Sequence, residues 1–282
     1  MARVAFIGLG TMGLPIARHL VAAGHDVVGH DLDRARAEAL EATIAGSAAE
    51  AARGAEFVLT SLPRPSAVEL VAREVAGELV AGGVFVDLST GPPELARQLA
   101  AELARDGREA LDAPVSGGPA GAAAATLTVM VGGAESAFAR AEPLLRLIGR
   151  PLHVGAAGAG QTAKLCNNLI AGVTMAALAE ACAIAQREGI DAALLYEILT
   201  TSTGDSRVLR TRYPLSGVDP AHPSSREYGP LFMLDLIAKD LGLAVELGGD
   251  VPVAAAALDA YHAAQRAGLG ALDYSAVFLT RR

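Results

Sequence analysis

Short apolar runs alternate with helical patterns along the first half of the chain. Val4–Ile7, Val27–Val28, Phe57–Thr60, Val84–Asp87 and Leu127–Val131 read as strands, and stretches such as Met12–Ala23 and Pro92–Arg105 read as helices between them. Such alternation predicts a parallel sheet wrapped by helices. After Gly160 the β-branched runs stop, and Gln161–Glu188, Ala192–Leu199, Leu231–Leu247 and Val253–Arg266 carry helical patterns only. The expected organisation is therefore an α/β domain over residues 1–158 and an all-α domain over residues 159–282. Gln161–Glu188 has no proline and one interior glycine, Gly172, so it predicts one helix of roughly 40 Å, at 1.5 Å per residue, joining the two. The prolines and serines between Tyr213 and Ser225 predict a loop between helices.

Composition narrows the function classes. The chain has 282 residues, 52% hydrophobic, with mean hydropathy +0.36, enough for a well-buried core. Its 31 acidic residues against 23 Lys and Arg leave no basic run for a phosphate polymer or an anionic membrane, so neither nucleic acid nor membrane is an expected partner. The longest uncharged stretch, Ala113–Ala134, is broken as a membrane helix by Pro119 and by glycines at 117, 118, 121, 132 and 133. The apolar run after Arg3 ends at Gly8, too soon for a signal-peptide core. Cys166 and Cys182 sit in an apolar helical stretch, which predicts neither disulfides nor a metal site and suits a reducing cytoplasm. The six histidines show no HxxxH or HxxE spacing, and no GxSxG elbow occurs, so metal catalysis and serine hydrolysis are not expected.

Candidate chemistry begins at Gly8-Leu9-Gly10-Thr11-Met12-Gly13, which follows the first strand directly and opens the first helix. Bare amides and the helix dipole favour a phosphate there. Gly8 permits the tight turn, Gly10 lets the backbone approach a pyrophosphate, and Gly13 allows close helix–strand packing. Asp31 closes the second strand, 21 residues beyond Gly10, where a carboxylate accepts ribose hydroxyls. These features predict a dinucleotide-binding Rossmann domain for NAD. Arg34 and Arg36 leave NADP open, although their plainer reading is the solvated first turn of the next helix. Leu62-Pro63 and Ser89-Thr90 follow the expected strands Phe57–Thr60 and Val84–Asp87, at the carboxyl ends where open α/β sheets bind ligands.

Two further features point to an anionic substrate and a proton shuttle. Asp112-Ala113-Pro114-Val115-Ser116-Gly117-Gly118 closes another strand with a turn whose hydroxyl and amides can hold a carboxylate. Lys164 is the only lysine before Lys239, in a stretch uncharged from Pro151 to Ala179 apart from His153. An ammonium desolvated there has a lowered pKa and serves as a proton donor and acceptor near neutrality. Asn168, four residues on, shares its helical face, with Asn167 turned away. Phe232 and Lys239-Asp240 form a last constellation on a helix of the second domain, Lys239 being either a cofactor or substrate ligand or a helix ion-pair lysine.

Together the glycine turn, Asp112–Gly118, Gly158-Ala159-Gly160 with Lys164 and Asn167-Asn168, Lys239-Asp240-Leu241 and the closing Leu272-Asp273-Tyr274-Ser275-Ala276-Val277 resemble the β-hydroxyacid dehydrogenases, and in particular their 3-hydroxyisobutyrate branch, over nearly the whole chain. The resemblance implies a 6-phosphogluconate-dehydrogenase-like oxidoreductase with the active site between its domains, the helical one taking part in a homodimer or homotetramer. It implies that Lys164 is the catalytic acid–base and that Asn168 hydrogen-bonds the substrate. Ser116, Gly117 and Gly118 would hold its carboxylate, Phe232 would line its pocket, and Leu62, Pro63, Thr90 and Lys239 would touch the cofactor. Imine-reducing members carry another residue at the lysine position, so Lys164 argues against that branch. Tartronate, succinic semialdehyde and sulfolactaldehyde reductases share the other motifs, and a non-catalytic NAD(H) sensor is the alternative of another class. Two departures stand out. The family usually has glycine where this chain has Ala125, and Thr200–Ser206 differs from the expected serine-rich substrate loop.

Overall fold

Along the first strand, Val4 and Phe6 enter one hydrophobic cluster and Ala5 and Ile7 another. Only a strand buried on both faces needs such an uninterrupted apolar run, which explains why alternation with polar residues is missing. In the computed structural model, which describes residues 1–281, this strand lies in the interior of a nine-stranded sheet. The strands are β1 (Arg3–Ile7), β2 (Asp26–His30), β3 (Thr43–Ile44), β4 (Phe57–Thr60), β5 (Val84–Asp87), β6 (Glu109–Asp112), β7 (Val115–Ser116), β8 (Leu127–Gly132) and β9 (Gly149–Gly155). Their order β3-β2-β1-β4-β5-β6 is parallel throughout, β8 runs antiparallel to β6, and β8 pairs β7 antiparallel and β9 parallel. This is the Rossmann order, with its switch point between β1 and β4, where the carboxyl ends of neighbouring strands open a crevice.

The chain divides after Lys164, six residues beyond the expected boundary at 158. The first unit therefore keeps the start of the helix Ala159–Arg187. Beyond Leu165 the described residues form helices Ala192–Thr201, Arg207–Arg212, Leu234–Gly248 and Pro252–Arg266, with 3-10 turns at Pro223–Arg226 and Tyr274–Thr280. The expected loop at 213–225 is irregular up to the first of these turns. By length and composition the helix Ala159–Arg187 would suffice to cross a membrane. Its Met175, Ala179 and Cys182 are instead fully buried among Tyr213, Leu234, Leu241, Tyr261 and Phe278.

The helix Gly118–Ala123 ends in a Schellman arrangement: Thr126 N–H donates to Gly121 O at 2.9 Å and Ala125 N–H to Ala122 O at 3.4 Å. Ala125 must take φ +54° to make it, so the departure from glycine noted in the sequence falls on a left-handed residue. That conformation costs an L residue about 1–2 kcal/mol, offset in part by the smaller chain entropy lost on folding. Ala125→Gly is expected to stabilise the protein by about 0.5–1 kcal/mol in denaturant unfolding; a destabilised variant would refute this reading of the turn.

Candidate active site

The glycine turn is built for two purposes, and the three glycines separate them. Gly8 has φ +93° and a side chain there would strike Ser61 O, while one at Gly13 would strike Gly8 O, so the fold itself demands both. Gly10 is different. Among the described residues, a methyl group built there meets nothing closer than Arg36 Nη1 at 3.9 Å. Packing does not require this glycine; an approaching pyrophosphate would. No side chain caps the helix Gly13–Ala22 that follows, leaving Thr11, Met12 and Gly13 at an N-terminus suited to an anion.

Asp31 holds this turn as well as facing it. Its Oδ2 accepts Leu9 N–H at 2.7 Å and its Oδ1 accepts Asp33 N–H at 2.8 Å, so the carboxylate that would receive a ribose also ties the turn to the end of β2. Arg34 and Arg36 lie on the short helix Arg34–Glu38, paired with Glu38 at 2.8 Å and Asp33 at 3.3 Å, in keeping with their plainer reading.

Three strand ends meet in a buried polar network. Asp87, at the end of β5, accepts Thr60 Oγ1–H at 2.8 Å and Ser89 N–H at 3.0 Å, and Ser89 Oγ accepts Leu62 N–H at 2.9 Å. Burial pushes the Asp87 carboxyl up to about 6, against the pull of those hydrogen bonds. Asp112 is its register partner on β6; its oxygens accept Gly158 N–H and Gln161 N–H, each at 2.8 Å. Burial raises this carboxyl also, with the backbone amides opposing. The Gln161 carboxamide accepts Gly91 N–H and donates to Ser89 O, both at 2.9 Å. Lys164 follows on the same helix and is 8% exposed. Leu62 and Thr90 are half-buried beside the network, and Pro63 is exposed.

The segment Asp112–Gly118 does not close a single strand: it runs from the end of β6 through the separate β7, and Gly118 opens the helix Gly118–Ala123. Ser116 ends β7, and Gly117 and Gly118 take φ +142° and +65°. A side chain at Gly117 would come within 2.9 Å of Leu127 Cδ2, whereas Gly118 faces open space.

In the second unit the predicted residues fall into two groups. Asn168, 5% exposed, donates Nδ2–H to Asp240 Oδ2 at 2.6 Å and accepts from Asn167 Nδ2 at 2.9 Å. Asn167 is exposed where Lys164 and Asn168 are buried, turned away as the helical angle implies, and its amide reaches back to Asn168. Lys239 Nζ lies 3.2 Å from Asp240 Oδ1, the ion pair of its plainer reading. Phe232 lies outside the helix expected from Leu231, which begins at Leu234. The cause is Asp273, whose Oδ2 accepts the amides of Leu231 and Phe232 at 3.2 and 3.0 Å and holds them off the helical path. Phe232 then meets Tyr274 edge to face at 6.0 Å. Asp87, Gln161 and Asp240 escaped the sequence reading as organising residues because each has a decisive partner far away in sequence: Thr60 for Asp87, Gly91 and Ser89 for Gln161, and Asn168 for Asp240. Cys166 and Cys182 are free thiols, burial pushing Cys182 up to about 12, and no His, Cys, Asp or Glu cluster among the described residues suits a metal.

Residues 3–163 match the NAD binding domain of 6-phosphogluconate dehydrogenase, and residues 158–280 match the NAD-binding region of NADP-dependent 3-hydroxyisobutyrate dehydrogenase. A 3-hydroxyisobutyrate dehydrogenase of Pseudomonas aeruginosa is 41% identical over 98% of this chain and 97% of its own length. The chain belongs to the β-hydroxyacid dehydrogenase family. An NAD-dependent L-serine dehydrogenase of the same organism is 40% identical, covering 98% of this chain and 97% of its own. The solved structure of Mycobacterium tuberculosis 3-hydroxyisobutyrate dehydrogenase with L-serine, also 40% identical, superposes with a TM-score of 0.93 over 100% of this chain and 99% of that one. The chain is thus an NAD-dependent dehydrogenase acting on a CH–OH group, and the sensor reading is not favoured.

Selectivity between cofactors is expected to rest on Asp31. Asp31→Ser removes a charged acceptor, worth about 1.5–3 kcal/mol, and relieves repulsion toward a 2′-phosphate. The ratio of kcat/KM with NADP to that with NAD should rise at least roughly tenfold, since about 1.4 kcal/mol is a factor of ten. An unchanged ratio removes Asp31 from selectivity.

Proposed function

We propose that this enzyme interconverts a small 3-hydroxy acid and its semialdehyde, with Lys164 as general acid and base. The observation that carries the reading is Lys164 itself: a lysine 8% exposed, near the start of a helix whose first amides are fixed to Asp112. It belongs to the same unit as the glycine turn and the Ser116 turn. 3-Hydroxyisobutyrate and L-serine, named for the relatives, share a carboxylate two carbons from the carbinol and differ only in a methyl or amino group between. Ser116 with the amides of Gly117 and Gly118 would hold that carboxylate, and Asn168, fixed by Asp240, would donate its remaining amide proton to the substrate. Phe232 would line the substrate pocket.

NAD, when bound, would supply the hydride acceptor for the carbinol carbon. In the oxidising direction the neutral amine of Lys164 takes the hydroxyl proton; in the reducing direction its ammonium returns that proton to the forming alkoxide. Gly8 to Gly13, Asp31, Leu62, Pro63, Thr90 and Lys239 are the proposed cofactor contacts. NAD is preferred over NADP in this reading because Asp31 closes β2 and Arg34 and Arg36 are engaged by acids.

The chain is also proposed to form a homodimer or homotetramer in the cytoplasm. Ile184, Ile190, Leu194 and Ile198 are each more than two-fifths exposed on the second unit, which supports self-association, and light scattering reads it directly.

Absorbance at 340 nm with NAD and a panel of 3-hydroxy acids tests the activity; a panel with no turnover alongside tight NADH binding contradicts it. Lys164→Ala should lower kcat by 10²–10⁴-fold, typical for a lost acid–base group, and leave NADH affinity nearly unchanged. Wild-type turnover in this variant would remove Lys164 from the mechanism.

A further inference from the structure

Gln161 is 2% exposed, and its backbone N–H and both ends of its carboxamide are hydrogen-bonded. Its backbone N–H caps onto Asp112 Oδ2 at 2.8 Å. Its side chain crosses to the turn after β5, where Oε1 accepts Gly91 N–H and Nε2 donates to Ser89 O, each at 2.9 Å. A carbonyl can only accept and an amide N–H can only donate, so these two partners fix which end of the carboxamide is oxygen. The residue between the two anchors is Thr90. One side chain therefore grips the backbone on both sides of a proposed cofactor contact. Ser89 in turn receives Leu62 N–H on its hydroxyl at 2.9 Å, which extends the grip to the turn after β4. Three residues along the helix from Gln161 stands Lys164, less than one turn away.

We propose that Gln161 is a positioning residue that sets the Thr90 turn and Lys164 at a fixed separation, so that the hydride-accepting and proton-accepting sites meet the same carbinol. The proposal rests on Lys164 being the acid–base. It differs from a packing role in what it predicts. A residue that only fills the core changes how much protein is folded, whereas one that sets the spacing changes the rate of each turnover. Reacting groups displaced by about 1 Å can lose about 10²-fold in rate with little change in binding.

Gln161→Met keeps length and volume but leaves Gly91 N–H and Ser89 C=O without their partner. In the full-length enzyme with NAD and its best hydroxy acid, kcat should fall about 10²-fold. The Kd for NADH and the KM for the hydroxy acid should stay within about threefold, since no group touching either ligand is removed. The primary isotope effect on kcat, with deuterium on the carbinol carbon, should rise, because hydride transfer becomes slower than product release. A loss of folded fraction would leave that isotope effect unchanged. If the methionine variant does not fold, Gln161→Asn, one methylene too short to meet both anchors, carries the same measurements, with kcat expected at least roughly tenfold down.

A kcat within threefold of wild type, or a fall in kcat with no change in isotope effect, overturns the positioning role. Lys164→Ala measured in parallel separates the two claims. An inactive Lys164→Ala beside a fully active Gln161→Met refutes positioning alone. A fully active Lys164→Ala refutes the acid–base reading and the positioning role with it.

Discussion

The structure depends on one buried carboxylate. Asp112 ends the last strand of the parallel run and directs both oxygens at amides of the segment that begins the long helix. A buried charge is costly unless paired or hydrogen-bonded. Here two charged hydrogen bonds and the positive end of a helix of 29 residues oppose that cost. Burial still outweighs them, since the carboxyl is raised rather than lowered. Two glycines make room for it. A side chain at Gly132 would come within 2.6 Å of Asp112 Oδ1, and one at Gly160 would strike Met130 O. With the helix start fixed in this way, the positions of Gln161 and Lys164 follow from helical geometry alone.

The same device recurs in the second unit. Asp273, fully buried, accepts amides from Leu231, Phe232 and Ser275 as well as the Ser275 hydroxyl, and lies 3.4 Å from Arg212 Nε. It shapes the segment that carries Phe232 much as Asp112 shapes the one that carries Lys164. Asp240 does so for Asn168, side chain to side chain. Three buried acids thus organise three proposed ligand contacts, and none of the three needs to touch a ligand to matter. Specificity among hydroxy acids would then depend on small changes in loops whose backbones these acids restrain.

The parts of this fold legible in the sequence are those that local pattern determines. The apolar runs β1, β4 and β5, the glycine turn and the long helix each follow from neighbours within a turn or a strand. β3 and β7, two residues each, are too short to leave a period, and β9 carries Arg150 and Pro151 within it. The supports of the site were hidden for another reason. Gln161 finds its partners 70 and 72 residues back, Asp112 finds its own 46 and 49 ahead, and Asp273 accepts the amide of Phe232 41 residues earlier, just before a helix begins. Hydrophobic periodicity carries no trace of such pairings. Ala125 shows the converse, where the resemblance to a glycine-bearing family located a strained residue that propensity alone would have passed over.

The most direct test of this account is Asp112→Asn, compared with wild type in kcat, NADH affinity and amide hydrogen exchange over residues 158–164. The asparagine keeps one acceptor and turns an NH₂ group toward the second amide, which itself donates. The account predicts faster exchange in that segment and a kcat lower by at least roughly tenfold, the scale of a displaced catalytic group, with NADH affinity retained. Unchanged exchange together with wild-type turnover would contradict it, because the helix start would then hold Lys164 without the carboxylate.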